Sequence, residues 1–254
     1  MQIASLYRYP VKGLTPEKLD HARLTPGRCI AWDRAFALAQ GDAKLDPAKP
    51  EWLPKWNFMC LLRNAGIALL DCRFEEAAGL LHLSGRGVKI SASPFTEAGR
   101  AELGAFLTEY LGAEARIGED GTRPRFVHAQ GHSFCDLSGQ VISLIGLNSI
   151  AALEAAAGGR RDPRRFRANI YISDLPEWEE FGWIGRELAI GDAVLKVQDR
   201  IPRCGATTVN PDTAERDANP VRELQQNFGH FDLGVFAEVV RSGEIRPGDT
   251  VRAK

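Results

Sequence analysis

Short apolar runs broken by glycine and aspartate, rather than long periodic helices, limit what this chain can fold into. Near the C-terminus, Gly191-Asp192 precedes Ala193-Val194-Leu195-Lys196-Val197, and Gly248-Asp249 precedes Thr250-Val251. Gly-Asp turns of this kind feed strands, and several short strands at such spacing imply a barrel or a strongly curved sheet. At the N-terminal end, Gln2 to Tyr9 alternates and Arg34 to Ala39 reads as a short strand; Ala65 to Leu70 and Leu80 to Leu83 read as sheet pieces. Helical signals are fewer. Leu103, Phe106, Leu107, Tyr110 and Leu111 share a helical face, with Ser93-Pro94 upstream as cap and first-turn proline. Ile150 to Ala157 is a second helix, with Asn148-Ser149 as cap candidates and Gly158-Gly159 as its stop. A third runs from Asn219-Pro220 to near Gly229. Gly41 to Pro54 reads as an irregular loop, and Ala113 to Gln130, rich in Gly, Arg and Pro, as the boundary between two halves.

Composition excludes several classes. The 254 residues are enough to bury a substantial core. A formal net charge of −1 speaks against a general nucleic-acid binder. No apolar run approaches the roughly 20 residues that span a bilayer, and the N-terminus lacks the apolar core of a signal peptide. The five cysteines, Cys29, Cys60, Cys72, Cys135 and Cys204, are scattered, odd in number and free of any CxxC pair. Free thiols in a cytoplasmic protein are the simplest expectation. Neither GxxxxGK[ST] nor GxGxxG after a strand occurs.

The stretch Pro202-Arg203-Cys204-Gly205-Ala206-Thr207-Thr208-Val209-Asn210-Pro211-Asp212-Thr213 sets one thiol beside an arginine and two hydroxyls. On residue types alone Cys204 is a buried hydrophobe, a nucleophile or a soft-metal ligand. No histidine among His21, His82, His128, His132 and His230 stands in a catalytic signature. Gly131 between His128 and His132 disfavours the helix that would align them on one zinc. Lys12, Arg34, Arg167 and Arg203 fall at element ends, where they are either solvated charges or clamps for a phosphate or other anion. Arg160 to Arg165 reads as an exposed charged run.

Tyr9-Pro10-Val11-Lys12-Gly13-Leu14 with Gly27 to Phe36 resembles the N-terminal β-barrel domain that precedes MOSC domains. Arg165-Phe166-Arg167-Ala168-Asn169-Ile170, Glu179 to Gly185, and Arg203-Cys204 through Thr213 resemble the MOSC domain itself. The arrangement is similar to that of the amidoxime-reducing components and their bacterial relatives, and the resemblance covers nearly the full chain. It implies an α+β, mostly β protein, with an N-terminal β-barrel-like domain (residues 1–115) packed on a β-barrel MOSC domain with a few helices (residues 116–254).

The family further implies a molybdenum cofactor (Mo-molybdopterin) whose metal takes one protein thiolate, the position that Cys204 matches. By the same resemblance Lys12 and Arg34 lie near the pterin phosphate, and Arg167 and Asn169 against the cofactor. Arg203 and Thr207 flank the metal ligand, and Asp136 and Ser138 sit in a loop that approaches the pterin. The activity implied is reduction of N-hydroxylated small molecules. Electrons are expected from a separate flavin or iron–sulfur reductase, since no four-cysteine ferredoxin-like segment follows. The other reading is a non-catalytic cofactor carrier or sulfur-delivery protein. Three departures bear on substrate range: Gly13 where relatives have serine, Pro202 where a hydroxyl residue is common, and a loop from Lys44 to Phe58 without the usual Thr- and Arg-containing segment.

Overall fold

Alternation of buried and exposed side chains, interrupted by glycine turns, divides the chain into fifteen strands and three α-helices. The computed structural model describes every residue from Met1 to Lys254. The strands are β1 (Gln2–Arg8), β2 (Glu17–Leu19), β3 (Ala22–Leu24), β4 (Phe36–Ala39), β5 (Asp71–Glu75), β6 (Leu80–Gly85), β7 (Val88–Ala92) and β8 (Arg125–His128). They continue as β9 (Ile142–Gly146), β10 (Ile170–Ser173), β11 (Glu187–Ile190), β12 (Ala193–Pro202), β13 (Asp232–Arg241), β14 (Gly243–Ile245) and β15 (Val251–Ala253). The helices are α1 (Glu97–Leu111), α2 (Leu147–Ala157) and α3 (Pro220–Phe228). The protein is α+β and mostly β.

One eight-stranded sheet, in the order β15-β11-β12-β13-β9-β10-β1-β2, forms the frame. It curls back on itself. Ile3 N–H donates to Asp249 O (2.9 Å) and Gly248 N–H to Ile3 O (2.8 Å), so β1 meets the turn that feeds the opposite edge strand. Its one parallel pair, β9 with β10, needs a crossover, which α2 supplies. Inside the curl, Val235, Ala237 and Val239 of β13 point inward with period two to meet Ile142 and Leu144 of β9, Ile170 and Ile172 of β10, and Ile3 and Leu6 of β1. On the far face Ile145 meets Ile150 and Leu153 of α2. Burial of each such aliphatic side chain contributes about 1.5–3 kcal/mol.

A second core lies under the three-stranded sheet β5-β6-β7 and α1, built around Phe36, Met59, Leu70, Phe74, Leu103 and Leu107. The halves are laced together by strands. β1 and β2 belong to the large sheet, β3 pairs with β14, and β8 pairs with β4.

Several local expectations hold. Both Gly-Asp turns lead into strands, β12 and β15, and α3 starts at Pro220 with the Asn219 side chain accepting from Arg222 N–H (3.1 Å) and ends at left-handed Gly229. Others change. Ala65–Leu69 is a 3-10 turn rather than a sheet piece, because a short apolar run carries no period of its own. β4 begins at Phe36, since Trp32 and Arg34 occupy the left-handed region at φ 66° and 51°. The cap of α1 is Thr96, whose hydroxyl accepts from Gly99 N–H (3.1 Å), not Ser93. Asn148 and Ser149 lie inside α2. Their expected capping role falls to Glu180, a fully buried residue whose carboxylate accepts from Gly146 N–H (3.3 Å) and the Ser149 hydroxyl (2.8 Å).

Two predictions follow from this packing. Gly234 has φ +79°, and a Cβ there would run into the Leu144 carbonyl and Ile145 side chain. Gly234→Ala should cost at least the ~1–2 kcal/mol of a left-handed L-residue, read as a lower urea midpoint. Burial raises the Glu180 carboxyl above its ordinary value, against the opposing pull of Ser149. Its contribution to stability is therefore full at low pH and lost as pH rises through the raised value. Relative to wild type, Glu180→Gln should be more stable at pH 8 than at pH 5 in parallel urea titrations; an equal difference at both would refute this.

Candidate active site

The segment leaving β1 crosses from one half to the other and is pinned on both sides. Tyr9 N–H donates to Asp33 Oδ1 (2.8 Å), Arg34 N–H to Tyr9 O (2.7 Å), Phe36 N–H to Pro10 O (3.0 Å) and Lys12 N–H to Phe36 O (2.8 Å). Lys12 is buried as a result. Its Nζ donates to Phe134 O (2.8 Å) and to Asp136 Oδ1 (2.5 Å). Arg34, held in the left-handed region, donates to Asp33 and to Arg167 O (3.0 Å). Arg167, also left-handed as it closes the turn Pro163–Phe166, donates to Leu14 O (2.7 Å). Both guanidiniums lie over the buried Tyr9 ring, at 4.4 and 4.2 Å from its centroid.

Cys204 follows β12 and opens the 3-10 turn Gly205–Thr208. The Thr207 hydroxyl donates to Cys204 O (2.9 Å) and closes that turn. Arg203 donates to Phe166 O (2.8 Å) and to Leu233 O, through Nε at 2.9 Å and through its Nη2. The Asn169 amide is spent on ties between strands, accepting from Ser143 N–H (3.1 Å) and hydroxyl (2.8 Å) and donating to Tyr7 O (3.2 Å).

A cavity of about 310 Å³ is lined by Lys12, Arg34, Asp136, Arg167, Asn169, Arg203, Cys204 and Thr207 together. That volume lies within the span of about 300–1,000 Å³ typical of ligand sites. Ser138 is exposed and does not line it, although Asp136, Leu137 and Val141 do. His128 is apart, packed against Phe36 and Phe95, and no cluster of three metal-ligating side chains exists.

Charge is the distinctive property of this cavity. Its walls carry the cations Lys12, Arg34, Lys55, Arg165, Arg167 and Arg203 against two carboxylates, Asp33 and Asp136. Burial works against Arg34, but neighbouring Asp33 overrides it and holds the guanidinium above its ordinary value. Arg167 and Arg203 have no carboxylate partner, and desolvation lowers each to about 10. Partial burial also works against the Asp136 charge, yet Lys12 and then Lys55 hold that carboxyl below the ordinary aspartate value. Two half-buried guanidiniums bonded only to neutral carbonyls form a site short of negative charge. The residues therefore fit an anionic group carrying a phosphate and a thiolate-seeking metal.

Three lining residues escaped the sequence reading. Lys55, just after the irregular loop, lines the same cavity as Cys204 and lies 3.7 Å from Asp136. Asp33 is buried as the partner of Arg34. Arg165 is not part of an exposed charged run: it is 5% exposed, ion-paired to Asp217 (2.5 Å) and bonded to Thr208 O (3.0 Å). Only the aromatic neighbour Phe166 marked it as an inward-facing position. A larger cleft of about 730 Å³ shares Gly13, Leu61, Arg165 and Arg167 with this cavity. It lacks Cys204, and its Arg73 and Arg164 are already paired with Glu75, Asp162 and Asp212.

With that geometry in place, the comparisons are specific. The sequence profile of the MOSC N-terminal beta barrel domain matches residues 1–113, and that of the MOSC domain residues 129–252. The chain is 31% identical over 122 residues to mitochondrial amidoxime reducing component 2 of Rattus norvegicus, covering 43% of this chain and 36% of that protein. It is 29% identical over 157 residues to molybdenum cofactor sulfurase of Danio rerio, covering 53% of this chain and 18% of that protein. The matches thus span about a third and under a fifth of those relatives. Among solved structures, the YuaD protein of Bacillus subtilis aligns over 98% of this chain and 93% of its own at 13% identity and a TM-score of 0.45. No helix is long and apolar enough to cross a membrane.

The unneutralised cations yield a direct expectation. Inorganic pyrophosphate should bind the ligand-free protein, and Arg167→Gln should weaken that binding by roughly tenfold or more, as for loss of a charge-assisted hydrogen bond. Calorimetric titration checks it, and equal affinity in the two proteins would contradict the assignment.

Proposed function

Because this chain belongs to the MOSC domain proteins that carry a MOSC N-terminal beta barrel domain, we propose that its cavity holds a molybdenum cofactor and that the protein reduces N-hydroxylated compounds. One observation carries the reading: a thiol, Cys204, shares a cavity with two half-buried guanidiniums, Arg167 and Arg203, that lack any protein carboxylate. Such a thiol suits a soft, sulfur-bound metal. The guanidiniums and Lys12 suit the phosphate of a pterin.

When bound, such a cofactor supplies two-electron oxygen-atom transfer. The chain's own residues hold and orient it. Cys204 would offer its sulfur to the metal from a turn whose backbone is held by the Thr207 hydroxyl donating to Cys204 O. Lys12, Arg34 and Arg167 would hold the phosphate; the Lys12 backbone is tied to Phe36, and the Arg34 and Arg167 side chains donate across the two halves to Arg167 O and Leu14 O. Arg203 fixes the approach to Cys204 through its bonds to Phe166 and Leu233. Reduction of an amidoxime to an amidine consumes two electrons and two protons and releases water. The electrons come from a separate protein, a flavin or iron–sulfur reductase.

A second reading, a cofactor carrier or sulfur-delivery protein, draws support from the longer match to the molybdenum cofactor sulfurase. Turnover of an amidoxime with a chemical reductant favours the enzyme; tight cofactor binding without turnover favours the carrier. Protein expressed with molybdate should contain molybdenum and pterin. Cys204→Ala should lower bound molybdenum by more than about tenfold, since even outer partners of metal ligands cost about 10–100-fold, and should abolish turnover. An active, metal-free variant would refute the proposal.

A further inference from the structure

We infer that Lys55 is the substrate-binding cation of this cavity, donating a hydrogen bond to the oxygen of a bound N–O compound beside Cys204. The inference rests on the reading that the cavity holds a molybdenum cofactor on Cys204.

The six cations of the cavity are not equivalent. Arg34, Arg165, Arg167 and Arg203 each donate to protein oxygens, and Lys12 spends its ammonium on Phe134 O and Asp136. Lys55 alone makes no hydrogen bond to a protein oxygen; its nearest charge is Asp136, at the loose distance of 3.7 Å. It lines the cavity together with Cys204, and it is not one of the cations over the Tyr9 ring, which Arg34 and Arg167 share. Its side chain is 26% exposed, against 7% for Lys12, so it can be reached by a molecule entering from solvent.

Nor is Lys55 on a loose tether. The 3-10 turn Lys55–Asn57 is closed by Asn57 N–H and Nδ2 donating to Pro54 O (both 3.0 Å), and Gln40 N–H donates to Asn57 O (2.8 Å). The Arg116 guanidinium holds the Trp56 carbonyl. A cation with unspent donors is thus held on the wall of the cavity that Cys204 also lines.

The chemistry that would use it is narrow. An amidoxime, hydroxamate or N-oxide offers an oxygen acceptor on nitrogen, and the reduced product does not. The Lys55 contact would form with substrate and vanish with product, favouring release after each turnover.

The test uses molybdenum-loaded protein in its oxidised form, which binds but cannot reduce an amidoxime. Wild type, Lys55→Met and Lys55→Arg are first compared for molybdenum and pterin content, expected to be equal. Calorimetric titration then gives the affinity for benzamidoxime and for benzamidine, which lacks the oxygen. A hydrogen bond to a charged donor predicts that Lys55→Met weakens benzamidoxime by about tenfold to a hundredfold. Lys55→Arg should restore most of that loss, and neither change should weaken benzamidine. Unchanged benzamidoxime affinity in Lys55→Met, or an equal loss for benzamidine, overturns the inference, as does loaded wild type that binds no benzamidoxime. Wild type free of molybdenum and pterin overturns the cofactor reading, and this inference with it; that outcome is told apart by the metal and pterin analysis.

Discussion

Two guanidiniums, Arg34 and Arg167, share the buried ring of Tyr9, and only one of them has a carboxylate. The rest of the site depends on that imbalance. Asp33 neutralises Arg34 and also fixes the Tyr9 backbone, so the crossing segment after β1 cannot move without exposing a buried charge. Arg167 reaches back to the Leu14 carbonyl from the other half of the chain and stays uncompensated. The two halves thus meet through Arg34 and Arg167 at a point where their charges are unbalanced.

This arrangement costs stability in the absence of a ligand. A half-buried guanidinium bonded to carbonyls alone keeps much of its desolvation penalty. Arg203 is in the same condition at the other side of the cavity, anchored to Phe166 and Leu233. Gly234 helps maintain it, because a side chain there would displace the strand that presents the Leu233 carbonyl. The frame tolerates such strain because the large aliphatic core inside the curled sheet is independent of the cavity walls. An anionic ligand would supply the missing charge, so ligand binding and fold stability are linked through the same residues.

What could be read from the sequence was what local chemistry determines. Asn219-Pro220 and Gly229 bound α3 through interactions within a few residues, and the Gly-Asp turns before β12 and β15 do the same. Cys204 stood out because its neighbours were polar. What stayed hidden depends on partners distant in sequence. Glu180 caps a helix that begins 33 residues earlier, and Arg165 is buried because Asp217 and the Thr208 carbonyl meet it. Lys55 follows a loop whose sequence has no period, and only the fold brings it to Asp136 and to the cavity that Cys204 lines. Ser138 illustrates the converse: its neighbours Asp136, Leu137 and Val141 line the cavity, yet Ser138 itself is exposed, which no residue type announced.

The central claim is that Cys204 binds a metal inside a cavity whose cations await an anionic cofactor. X-ray absorption at the molybdenum edge, on protein expressed with molybdate, tests it most directly. The account predicts three sulfur neighbours, two from the pterin dithiolene and one from Cys204. Two sulfur neighbours, or protein that retains no molybdenum, would contradict it.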